Sequence, residues 1–212
     1  MGRRRVNSGE HNFLNKSAQP SSMKIGLYFG SFNPVHIGHL IIANQTVNDT
    51  DLQQVWFIVS PQNPFKQSAS LLNENHRLHL IRSAIDGENN LRASSLEFNL
   101  PKPSYTVDSL AYLKEKYPEH EFSIVMGSDG FQNLDKWKNY EVIVNNHSIY
   151  IYKRPGFEIT HTHGATIHIL EAPLLEISST RIRDLIKKRK SIRFLVPDVV
   201  KEEIEIGGYY RS

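Results

Sequence analysis

Cysteine is absent from the 212 residues. That absence excludes disulfide staples, thiolate metal sites and cysteine nucleophiles, and it suits a cytoplasmic protein. Long apolar runs are also missing: none approaches the roughly 18 residues that a membrane-crossing helix needs. No apolar stretch follows Arg3, Arg4 and Arg5 as a secretion signal would require. Nor is there an excess of one charge in the body of the chain. The first 22 residues hold those three arginines and Lys16 against Glu10, and so carry the whole net charge of +3. From Met23 onward, 21 basic and 21 acidic residues cancel. A basic face for nucleic acid is not indicated, and no membrane partner is.

Residues 1–22 lack periodicity and are rich in Asn, Ser, Gln and Gly, which predicts a disordered leader or upstream extension. Residues 23–212 then form a single domain, long enough for a sizeable core. No repeat or low-complexity tract interrupts them. The run Lys187–Lys190 falls at a helix end, where cations complement the dipole and face solvent.

What is present is an alternation. Strands are predicted at Lys24–Phe29, Val55–Ser60, Leu91–Phe98, Glu121–Gly127, His147–Lys153 and Ala165–Leu170. Helices are predicted at His39–Asn48, Asn73–Ala84, Thr106–Lys116, Trp137–Asn145, Ser179–Lys190 and Pro197–Ile206. Apolar strands alternating with helices argue an α/β fold with a doubly wound, mainly parallel sheet. Ligands of such sheets bind beyond the carboxyl ends of the strands. The loops at Gly30, at Ser60–Lys66 and at Gly127–Asp129 all follow strands and are expected to meet there.

The stretch Gly30-Ser31-Phe32-Asn33-Pro34-Val35-His36-Ile37-Gly38-His39 lies between the first strand and first helix. A tight loop entering a helix presents backbone N–H groups and a positive helix end to phosphate. His36 and His39, three residues apart, can project from one side of the first turn. A late segment, Ile177-Ser178-Ser179-Thr180-Arg181-Ile182-Arg183, offers a serine-rich helix cap with two arginines, a second anion site.

These two segments resemble the paired signatures of the H-x-G-H nucleotidyltransferases, and the sheet is then of that Rossmann-like type. The resemblance implies transfer of a nucleotidyl group from a nucleoside triphosphate. It gives His36, His39, Lys66 and Arg183 catalytic roles as phosphate contacts. It assigns ATP, as co-substrate, to Gly30, Ser31, Phe32, His36, Gly38, His39, Gly127, Ser178, Ser179, Thr180, Arg181 and Arg183. Magnesium is expected with the triphosphate, bound through it, so no protein metal ligands are assigned. Two histidines without a third ligand are weak zinc evidence.

The middle of the chain narrows the resemblance to the bacterial nicotinate-nucleotide adenylyltransferases. Pro103-Ser104-Tyr105-Thr106, Gly127-Ser128-Asp129 with Leu134–Trp137, and Arg154-Pro155-Gly156 are similar to segments of that family. The implied acceptor is nicotinate mononucleotide, and the implied acceptor contacts are Tyr105, Thr106, Asp129, Trp137 and Arg154. Trp137 offers a flat face for a pyridine ring, and N–H groups near Thr106 suit its carboxylate. Nicotinamide mononucleotide and phosphopantetheine are alternative acceptors, and a non-catalytic nucleotide-binding module is the rival of another class. The family's usual P-P-H-K loop here reads Asn63-Pro64-Phe65-Lys66, so Phe65 replaces a histidine. His161, His163 and His168 are read as solvent-facing. Whether the protein forms a homo-oligomer is left open.

Overall fold

The alternation folds into one six-stranded sheet in the computed structural model, which describes residues 22–62, 71–171, 173 and 176–211. In chain order the elements are β1 (Lys24–Gly30), α1 (Ile37–Asp49), β2 (Gln54–Val59), α2 (Glu74–Ala84) and β3 (Leu91–Ser94). They continue with α3 (Thr106–Lys116), β4 (Glu121–Gly127), α4 (Ser128–Phe131), α5 (Tyr140–Asn146) and β5 (Ile149–Tyr152). The chain closes with β6 (Ile167–Leu170), α6 (Ser179–Lys187) and α7 (Asp198–Gly207). Every strand pairing is parallel, in the order β3-β2-β1-β4-β5-β6. The order reverses between β1 and β4, which opens a crevice at their carboxyl ends.

Strand alternation supplies a core to each face of the sheet. Ile25, Leu27, Trp56, Ile58, Ile124 and Met126 join Leu110 and Leu113 of α3 on one side. Tyr28, Val55, Phe57, Val59 and Val125 join residues of α1, α2, α6 and α7 on the other. Burial on both faces explains why the four central strands, β2, β1, β4 and β5, read as nearly continuous apolar runs.

One residue of α2 is unlike its apolar neighbours. Arg77 is fully buried. Its Nε donates to the carbonyl of Leu72 at 2.7 Å, and Nη1 donates to those of Ser31 at 2.5 Å and Ser60 at 2.9 Å. Nη2 donates to the carbonyl of Pro61 at 3.3 Å. Burial lowers its pKa, yet a guanidinium stays protonated and needs its donors occupied. These bonds fasten the loop after β1 to both flanks of the segment between β2 and α2.

Several boundaries differ from the sequence reading for local reasons. The third strand stops at Ser94, and a 3₁₀ turn covers Leu96–Asn99. Buried Glu97 draws that turn inward by accepting from Ser104 and Ser109. The helix expected from Trp137 begins at Tyr140, because Asn139 is left-handed at φ 52° and Trp137 is extended. The helix expected to reach Lys190 ends at Lys187, ahead of left-handed Arg189. The turn at Gly127–Asp129 opens into the short α4. Residues 1–21 of the expected leader lie outside the described residues.

Arg77→Met would leave four main-chain carbonyls in a nearly dry setting without their donor. The expected loss of unfolding free energy is about 3 kcal/mol or more. Urea titration at neutral pH measures it, and a loss below about 1 kcal/mol would contradict the fastening role.

Candidate active site

The crevice between β1 and β4 holds a cleft of about 330 Å³. Its walls include Gly30, Ser31, Phe32, His36 and His39 from the first loop and helix. Gly127, Asp129, Trp137 and Arg154 come from the far side, with Ser178, Ser179, Thr180 and Arg183 from the start of α6. Gly38 lies beneath this lining. A Cβ added there would sit 3.1 Å from Nδ1 of His36, so the glycine gives room to the imidazole. Arg181, by contrast, is exposed and away from the cleft walls. Lys66 and Phe65 lie outside the described residues.

The two histidines are stacked, with ring centroids 3.6 Å apart and planes 23° from parallel. His36 caps α1 in extended backbone and is buried. Burial, with a smaller push from the Arg154 charge, lowers its pKa to about 4, so the ring is neutral near pH 7. Its side chain faces the His39 main-chain N–H in a reciprocal capping arrangement at the start of α1. The main-chain N–H of His36 donates to Nδ1 of His39 at 3.3 Å. That acceptor role sets the tautomer: in neutral His39 the proton sits on Nε2. Phe32, itself buried and left-handed at φ 46°, packs edge-on against the His39 ring at 5.0 Å.

Two arginines approach the cleft with different electrostatics. Arg154 pairs with Asp129 at 2.9 Å, and its main-chain N–H donates to Ser128 Oγ. A side chain on Gly127 would overlap Asp129 Oδ1, so glycine permits that pair. Arg183 donates to the carbonyl of Asn33 at 2.8 Å and to Thr180 Oγ1 at 3.3 Å. No ion pair among the described residues includes it, so its charge remains available to an anion. Ser179 Oγ donates to the carbonyl of Pro34, stitching α6 to the same loop. Ser178 Oγ caps α6 by accepting from the Arg181 N–H.

A smaller cavity of about 110 Å³ adjoins the cleft and shares Phe29, Gly30 and Trp137 with it. Tyr105, Thr106, Ser104, Glu97 and Lys138 complete most of its wall. Lys138 Nζ lies 4.7 Å from the Tyr105 ring centre and 3.0 Å from Asp108 Oδ2. Among the described residues no group of three or more His, Asp or Glu side chains is set to hold a metal. His168 is exposed but lies flat on Tyr150 at 4.5 Å, and His163 packs on Phe131.

Sequence reasoning missed Asn33, whose side-chain oxygen accepts from the Leu72 N–H while its carbonyl takes Arg183. It missed Glu97 too, although a lone acid in the apolar stretch Leu96–Phe98 is a usable signal. Nothing in a helical pattern marks Arg77 as buried, and pairing of Tyr28 with Tyr152 at 3.2 Å likewise needs the fold.

Fold and cleft together define a nucleotidyltransferase of the cytidylyltransferase-like class, and the model of that family matches residues 27–185. At the level of the particular family, the chain belongs to the nicotinate-nucleotide adenylyltransferases. It is 50% identical over 194 residues to a Cytophaga hutchinsonii protein described as a probable nicotinate-nucleotide adenylyltransferase, covering 90% of this chain and all of that one. A relative of the same description from Bacillus licheniformis is 35% identical over 189 residues, 89% of this chain and 99% of its own. The fold is also that of the Plasmodium falciparum nicotinic acid mononucleotide adenylyltransferase complexed with NaAD. That likeness has a TM-score of 0.77 at 21% identity, over 89% of this chain and 97% of the other.

The buried neutral state of His36 has a consequence for stability without nucleotide. An unfolded histidine protonates near pH 6.5, the folded one only near 4. Between those values the unfolded state binds more protons, so stability falls as pH drops from about 6.5 to 4. The contribution is up to about 3 kcal/mol. His36→Asn is expected to flatten that part of the profile, measured by urea unfolding at pH 7 and 4.5. An unchanged slope would contradict the neutral buried ring.

Proposed function

We propose that the protein transfers the adenylyl group of ATP to nicotinate mononucleotide, giving nicotinic acid adenine dinucleotide and pyrophosphate for NAD synthesis. The observation that carries this reading is the stacked His36–His39 pair, with Arg183 beside it, in a cleft that opens into the cavity of Trp137, Tyr105 and Thr106. One compartment suits a triphosphate, and the adjoining one suits a flat ring bearing an anion.

The acceptor's 5′-phosphate oxygen attacks the α-phosphorus of ATP. A new phosphoanhydride bond forms, the bond from the α-phosphorus to the bridging oxygen breaks, and pyrophosphate leaves with the electron pair. The attacking phosphate is already ionised, so alignment and charge stabilisation do the work. His39 donates from Nε2 to a transferring phosphate oxygen. Arg183 holds the departing β- and γ-phosphates, and the N–H groups at the start of α6 support it. His36 stays neutral until an anion arrives and then donates through a ring N–H. Gly30, Ser31, Phe32, Gly38 and Gly127 shape the nucleotide side, with Ser178, Ser179 and Thr180 opposite. Lys66 is assigned to the same triphosphate. Arg181 is retained only as a cation flanking the α6 end, since its side chain faces outward.

Trp137 stacks on the pyridine ring, while N–H groups at Tyr105 and Thr106 receive its carboxylate. Donors alone cannot satisfy an amide, which favours the acid over nicotinamide mononucleotide. Asp129 orients Arg154, which meets the acceptor phosphate. Magnesium enters as part of the nucleotide substrate and neutralises the triphosphate. We place the enzyme in the cytoplasm; a homo-oligomer is compatible with this reading.

Pyrophosphate release from MgATP, with nicotinate mononucleotide, nicotinamide mononucleotide and phosphopantetheine in parallel, tests the acceptor. Strong preference for the nicotinate compound is expected. Preference for either other acceptor would overturn the assignment of the Trp137 cavity, and silence with all three would favour a non-catalytic module. His39→Ala is expected to lower kcat by about 10²–10⁴-fold with nucleotide binding partly retained. Turnover at the parental rate would remove His39 from the mechanism.

A further inference from the structure

A second polar cavity, of about 170 Å³, lies at the β3 edge of the sheet, under α3. It shares no lining residue with the catalytic cleft or with the acceptor cavity. Three cations converge on it from three elements: Arg82 of α2, Arg92 of β3 and Lys116 of α3. Among the described residues no carboxylate lines it. None of the three cations takes part in an ion pair among the described residues.

Two of these cations lie over aromatic rings. The Arg92 guanidinium lies 4.4 Å from the centre of the Trp56 ring. Lys116 Nζ lies 5.6 Å from the centre of Tyr117 and 5.5 Å from that of Tyr112. Trp56 and Tyr117 meet edge-on at 5.6 Å, so both charges are supported on one aromatic pair. Aromatic faces hold a cation in place without neutralising it. Like charges gathered in a concave wall focus a positive potential that an anion relieves. All three side chains are exposed to solvent, and they border a common space.

We propose that this cavity is a binding site for a small inorganic phosphate anion, with diphosphate suiting its multiple cations best. Its volume is below the range that takes nucleotide-sized ligands. Trp56 is buried and its face is already covered by Arg92, so no base can stack there. Arg92 supplies the planar donor fork that phosphate oxygens match, and Arg82 and Lys116 supply the remaining charge. The 3₁₀ turn Leu96–Asn99 separates the two binding regions. Leu96 and Asn99 border the phosphate site, and Glu97 between them borders the acceptor cavity.

The chain contains only two tryptophans, one in each region, so ¹⁵N-indole NMR reads the two sites separately. Full-length protein is titrated with sodium pyrophosphate, and in parallel with phosphate, at constant ionic strength set by sodium chloride. The Trp56 signal is expected to move saturably. In Arg92→Gln/Lys116→Gln its apparent affinity should fall at least tenfold, while the Trp137 response persists. Arg82→Gln, an exposed substitution that leaves the Trp56 contact alone, should weaken the same response without altering the starting spectrum. A Trp56 signal that stays still through the millimolar range would overturn the proposal. So would an equal movement with chloride alone, or an unchanged response in the double variant.

Discussion

The buried guanidinium of Arg77 is the constraint on which the active-site geometry hangs. A cation without a carboxylate partner costs free energy to bury unless its donors are occupied. Here the acceptors are carbonyls of Ser31, Ser60, Pro61 and Leu72, from segments that share no strand or helix. Satisfying one side chain therefore fixes the loop after β1 relative to the segment after β2. The consequence extends along the chain. Asn33 accepts the Leu72 N–H and passes its own carbonyl to Arg183, and Pro34 accepts the hydroxyl of Ser179. The two motif segments, distant in sequence, are thus held by neutral main-chain acceptors.

This choice of acceptors matters for the chemistry. Carboxylates in the same places would hold the arginines equally well but cancel the charge that a triphosphate must meet. Arg183 keeps its charge because its partners are a carbonyl and a hydroxyl, whereas Arg154 is tied to Asp129. The histidines differ from the arginines in that their charge depends on surroundings. Burial keeps His36 neutral near pH 7, and a nearby anion favours the charged form of an imidazole.

The sheet was legible because its central strands are buried on both faces: β4 falls at Glu121–Gly127, the predicted bounds, and the helix α3 before it at Thr106–Lys116, also as predicted. Errors fell where one residue overrides a pattern, as at Glu97, which turns the end of β3, and Asn139, which delays α5. Most of the candidate site was legible from contiguous motifs that bring their own loop and helix end. Its supports were not, since the roles of Arg77 and the Asn33 carbonyl exist only once distant segments meet. Arg181, two residues before Arg183 on α6, is exposed, whereas Arg183 lines the cleft.

Adenylyl transfer requires that cleavage fall between the α- and β-phosphates. The most direct test supplies MgATP labelled with ³²P at either the α or the γ position, with nicotinate mononucleotide as acceptor, and separates the products. The account predicts α-label in the dinucleotide and γ-label wholly in pyrophosphate. Appearance of γ-label on the acceptor, or of α-label in AMP alone, would contradict it.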